Sequence, residues 1–139
     1  MNLETAQRII AAALAHARSR RFAPLSVAVL DARGAIQALA TEDGASRGRP
    51  VIAIGKANGA IAMGLGSRAL AERATRIPQF IAAVDHAVGG LIPSPGGVLV
   101  RNRAGAIIGA VGISGDTGDN DEECAVAGVT EAGLVPDTG

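Results

Sequence analysis

Two stretches of the chain, LSVAVLDARGAIQALATEDGA and GGVLVRNRAGAIIGAVGISG, are built alike: two apolar runs meet at a short polar turn. In the first, the runs cover residues 25–30 and 35–41, and the Asp and Gly of DARG suit a tight reversal; in the second, RAG takes that place. Each stretch predicts a β-hairpin. Hairpins far apart in a chain bury their faces together in an antiparallel sheet, so whatever lies between them has to pack on that sheet.

The intervening residues read as helices. Pro50 suits the first turn of a helix running to about Met63, GLGS interrupts, and a second short helix follows from Ser67, a candidate N-cap, to Arg73. A third begins near Pro78 and stops before Gly89 and Gly90. At the start of the chain, Leu3, Ala6, Ile10, Ala13 and Ala17 form the apolar stripe of a helix over 3–20, with Asn2 as cap and Arg18, Arg20 and Arg21 at the end where its dipole favours cations. A last helix spans Asp121 to Ala132, with Asp119 and Glu122 spaced as a capping box. The order is α-ββ-ααα-ββ-α. It predicts a single α+β domain over residues 1–139, an antiparallel sheet flanked by helices.

Composition narrows the function. Apolar residues make up 48% of the chain, yet there are only two Phe and no Tyr or Trp, so the core layers are thin; the 19 glycines sit between apolar runs and point to close backbone approaches. Thirteen basic and thirteen acidic residues cancel, which argues against nucleic acid or an anionic membrane as partner. A single cysteine, Cys124, no signal-peptide pattern and no apolar stretch long enough to span a bilayer predict a soluble, cytoplasmic protein.

The densest chemistry lies in GISGDTGDNDEE, where a buried strand gives way to five carboxylates. Capping and the helix dipole account for part of that charge, and the surplus of Asp116 and Asp119 points to a ligand or a partner subunit. Its spacing does not fit a calcium loop. In LIPSPGGVLVRN, Pro95 fixes the backbone, and Gly96 and Gly97 leave room for a flat ligand or another chain. Pairing of the last two strands brings Pro95–Gly97 to Ser114–Asp116, a candidate pocket mouth. Lys56 and Asn58 interrupt an apolar helix and therefore face solvent, a pocket or an interface. The glycines of MGLGS lack the following GK[ST] of a phosphate loop. His16 and His86 read as structural, no Cys/His cluster suggests zinc, and the acidic neighbours of Cys124 oppose a thiolate nucleophile.

Over nearly its whole length, and most specifically at PGGVLVR and GAVGISGDTGDNDE, the chain resembles the GlcG/HbpS-like family of haem-binding proteins. The resemblance implies a profilin-like fold, assembly into a dimer or larger homo-oligomer, and haem or another tetrapyrrole as ligand. The matching positions are Lys56, Pro95, Gly96, Gly97, Ser114, Gly115, Asp116, Thr117, Asp119, Asp121 and Glu122. No axial-ligand residue comes with them. Beside the haem-binding reading stand an enzyme for a small organic acid, with Lys56 binding a carboxylate and Asp119 or Asp121 handling a proton, and a structural oligomerisation module whose loops are subunit contacts.

Overall fold

The computed structural model describes all residues, 1–139. In chain order the elements are α1 (Leu3–Arg20), β1 (Ser26–Asp31), β2 (Ile36–Thr41), α2 (Arg49–Met63), α3 (Ser67–Arg76), α4 (Pro78–Val88), β3 (Gly97–Arg101), β4 (Ile107–Ser114), α5 (Gly118–Glu131) and β5 (Val135–Asp137). The expected α+β order is present, with one strand added at the end.

The sheet runs β2-β1-β4-β3-β5, antiparallel throughout. Each hairpin turn is held by one side chain. Asp31 Oδ1 accepts from the N–H groups of Arg33 and Ala35 at 2.9 and 3.0 Å, and Asn102 Oδ1 accepts from Ala104 and Ala106, both at 3.0 Å. These Asx turns are what DARG and NRAG encode. The strand that sequence reading missed, β5, has Pro136 at its centre and lies at the edge of the sheet, where a missing N–H costs no ladder bond.

Alternation along the strands divides the core. Val27, Val29, Val98, Val100, Val111 and Ile113 face α1 and α5, where they meet Ile9, Ala13, Ala17, Ala125 and Val129. Leu30, Leu99 and Ala110 point the other way, onto Ala57 and Ala60 of α2. The buried stripe of α1 includes Ile9 and leaves Leu3 half exposed, a shift of register from the expected stripe.

The α2 layer is thin because glycine lets backbone meet backbone. A Cβ on Gly112 of β4 would lie 1.9 Å from the Ala53 carbonyl oxygen, and one on Gly97 of β3 would lie 2.4 Å from that of Lys56. No side chain larger than hydrogen fits at either place. This close approach carries Lys56 to the end of β4.

Candidate functional site

Lys56 sits in the middle of α2, and its position is set by the helix lying flat on β3 and β4. Its ammonium donates to the Ile113 carbonyl oxygen and to Asp121 Oδ2, each at 2.8 Å, and the two side chains are 3% and 2% exposed. The expected alternatives for Lys56 included a solvated face; the buried position corrects that one, because the apolar flank of α2 and the last turn of β4 close over the stem. Asp121 Oδ1 accepts from the Asp116 N–H at 3.0 Å. Burial pushes the Asp121 carboxyl up, against the pull of Lys56 and of that N–H. Desolvating two charges costs several kcal/mol per ion, on the order that their attraction returns only when both stay paired.

The rest of the acidic loop is equally well occupied. Thr117, in extended backbone geometry, caps α5 by accepting from the Asn120 N–H at 3.2 Å. This corrects the expected capping box: α5 starts at Gly118, ahead of Asp121, and Asp119 lies within its first turn. Asp116 accepts from the N–H groups of Ala23 and Thr117, both at 2.7 Å, and from the Asn120 amide at 2.8 Å. Those donors, the Ala23 N–H foremost, hold its carboxyl below the ordinary aspartate value. Arg68 of α3 bridges Asp119 and Glu122, its Nε donating to Glu122 Oε1 at 2.8 Å. Glu122 Oε2 is buried without a partner. Glu123 accepts from His16 Nε2 at 2.7 Å and from Arg20 Nε at 3.0 Å. All five carboxylates are thus engaged with cations or N–H donors from α1, α2, α3, the α1–β1 connection or the segment itself.

The strand register brings the glycine-proline loop where it was expected. Gly97 pairs with Gly112, and the Ile113 N–H donates to the Gly96 carbonyl at 2.9 Å. Gly96 has φ +116, and a Cβ there would lie 2.9 Å from both Lys56 Nζ and Asp121 Cβ. The Gly97 N–H donates to Ser67 Oγ at 2.6 Å, so the hydroxyl expected to cap α3 instead ties α3 to β3, and the cap is Gly66. Pro95 borders Gly118, Gly115 lies against the Pro24 carbonyl, and Ser114 Oγ accepts from Arg49 at 3.3 Å. The space over Gly96 and Gly97 is therefore filled by Lys56 and Asp121 of the same chain. Exposed at the rim are Thr117 and Asp119.

Open depressions lie elsewhere. One of about 540 Å³ is lined by Leu14, Arg18, Pro24, Thr41, Glu42 and Asp43, and one of about 410 Å³ by Arg73, Arg76 and Ile77. A third, about 400 Å³, lies between α1 and α5 over Ala12, Ala15, His16, Ser19, Ala127 and Glu131. His16 was read as structural, and its bond to Glu123 fits that, but it also borders this depression. The sequence signal was Ala12 and Ala15 within a turn of His16, small side chains on the outward side of a helix. The other soft donors are differently placed: His86 is exposed on α4, and Cys124 is fully buried with its thiol pushed up to about 12 by burial and then by Glu123, Asp121 and Asp116.

A family model described as haem degrading protein HbpS-like matches residues 1–130. No curated protein matches the chain. Among solved structures, HbpS of Streptomyces reticuli, in a double Glu-to-Asp mutant form, is 29% identical with a TM-score of 0.82, covering 94% of this chain and 85% of that one. A complex of PduOC with haem is 22% identical, TM-score 0.84, covering 96% of each chain. The protein ORFY of Klebsiella pneumoniae is 24% identical, TM-score 0.85, covering 96% and 90%. These last two speak for the fold.

Proposed function

The chain belongs to the HbpS-like family, and on that membership we propose that it binds haem, as a cytoplasmic homo-oligomer with the haem pocket between subunits beside the acidic loop. The family match over residues 1–130 carries the reading. Haem needs a flat apolar slot and an axial donor. The depression between α1 and α5 supplies the donor and part of the slot: Ala12, Ala15 and Ala127 offer low apolar walls beside the polar Ser19 and Glu131, and His16 is the only imidazole, thiol or thioether in the lining of the three depressions. His16 is the residue we assign to the iron. Its partner Glu123 also holds Arg20, so the carboxylate would keep a counter-charge if His16 held the iron.

In this reading Lys56, Asp121, Asp116, Ser114, Gly115 and the Pro95–Gly97 loop hold the frame from which α5 projects, Glu122 anchors Arg68 beneath it, and the exposed Thr117 and Asp119 form the lip that meets a ligand or second subunit. Bound haem supplies a redox-active iron; the chain supplies the imidazole, the low walls and the charge balance around it.

Titration of the haem-free protein with haemin, followed at the Soret band, tests the proposal. A saturable, stoichiometric shift that is lost or moved in His16→Ala supports it, with sedimentation reporting the assembly mass. Absorbance that rises linearly without saturation overturns it.

A further inference from the structure

The shoulder where α3 meets α4 carries the second depression, and the side chains around it have no hydrogen-bonding or ionic partner in the fold. Arg73 and Arg76 line it, both exposed, and neither has an acidic group within 4.0 Å. Ile77 lies between them and α4 at 44% exposure, and three residues on Phe80, one of two aromatic residues in the chain, is 52% exposed. Ile77, in non-helical backbone between the two helices, lines the depression with the two arginines, and Phe80 lies in the first turn of α4 that follows, so exposed apolar surface begins where the guanidinium groups end. The first turn of α4 contains no acid, and Ile77 provides no side-chain cap. Glu72 is the nearest acid in sequence, exposed and unpaired; Asp85, at the far end of α4, accepts from the Leu91 N–H. The end of α3 welcomes cations through its dipole, but that accounts for neither an exposed Phe nor the depression.

A guanidinium group with no counter-charge takes a carboxylate in a planar, two-pronged geometry, two of them line this depression, and exposed Ile77 and Phe80 offer surface for an apolar body. We propose that this shoulder is a binding site for organic carboxylates with an apolar body, Arg73 and Arg76 taking the carboxylate and Ile77 and Phe80 the rest. The site stands apart from the haem reading. It lies against α2, on the side of the sheet opposite the α1–α5 depression. A free organic acid and the propionates of a haem held by another protomer present the same chemistry, and the test separates them.

Phenylacetate is titrated into isotopically labelled protein and followed by NMR at Ile77–Phe80, with neutral phenylacetamide as control. Haem and haem dimethyl ester, whose propionates are masked, are titrated in parallel. Saturable phenylacetate shifts, absent with phenylacetamide and weakened about tenfold or more in Arg73→Ala/Arg76→Ala, establish the site for a free acid. Phe80→Ala then weakens phenylacetate and leaves acetate unchanged. If phenylacetate does not saturate but haem affinity falls about tenfold in the double variant while the dimethyl ester is unaffected, the site holds propionates. If the arginine pair changes neither ligand, the proposal is overturned. Failure of the wild-type protein to bind haem at all sinks the haem reading and leaves the phenylacetate arm intact.

Discussion

The starts of α5 and α4 are opposites. Around the start of α5 the chain concentrates carboxylates, and each has a partner: Asp121 in Lys56, Asp119 and Glu122 in Arg68, Glu123 in His16 and Arg20, Asp116 in backbone N–H groups. Ahead of α4 the chain places two arginines in the last turn of α3, and no carboxylate pairs with either. Charge density in a sequence is therefore a poor guide to a ligand. What matters is whether the chain itself supplies the counter-charge, and that depends on contacts between residues fifty or more positions apart, as between Lys56 and Asp121.

The sharpest way to break the comparison is to remove one half of the buried pair. Lys56→Ala leaves Asp121 charged, or forces it to take up a proton, in a place already closed to water. The expected loss is about 3–5 kcal/mol of stability, read from urea unfolding. The double replacement Lys56→Met with Asp121→Leu is expected to recover most of that loss, since an apolar pair of similar volume avoids the desolvation cost. If Lys56→Ala costs under about 1 kcal/mol, the pair is not what holds α2 to α5.

How much of this was legible follows from where each signal resides. Hairpins, helix order and the meeting of Pro95–Gly97 with Ser114–Asp116 rest on local period and on strand pairing, and both can be read along the chain. The thin α2 layer was legible as glycine and alanine content, though not as the specific approach of Gly112 to Ala53. Lys56 looked amphibious because a helix wheel shows which face a lysine is on and not what covers that face. Thr117 and Asp119 are both good capping types, so sequence alone does not choose between them; in the structure Thr117 caps and Asp119, in the first turn, pairs with Arg68 of α3. Strand β5 was hidden by its length and by Pro136.

At the level of a single cap, Thr117→Ala removes the acceptor for the Asn120 N–H and is expected to cost about 1 kcal/mol, measured by the same unfolding. Smaller still is the acid response of Asp116. Its folded pKa lies below that of the unfolded chain, so its stabilisation is complete above the unfolded value near ~3.9 and is lost as pH falls through the folded one. Asp121 has the opposite sign: burial raises its folded value, so its protonation as pH falls favours the folded state. Asp116→Asn should therefore flatten the acid limb of the stability profile relative to wild type. An unchanged limb would mean that the Ala23 N–H gains nothing from the charge.

The smallest effect is expected where the contrast began. Arg73→Ala and Arg76→Ala, singly or together, should move stability by no more than about 0.5 kcal/mol, because neither side chain has an ionic partner to lose and both are exposed. A gain is as informative as a null result, since two adjacent like charges beside an uncapped helix start repel one another and their removal relieves that. A loss approaching that of Thr117→Ala would instead assign both arginines to the end of α3, where they would serve the helix as Asp119 and Arg68 serve α5. Charges that cost the fold nothing when deleted, next to an exposed Phe80 in a chain nearly without aromatic residues, are charges available to something outside it.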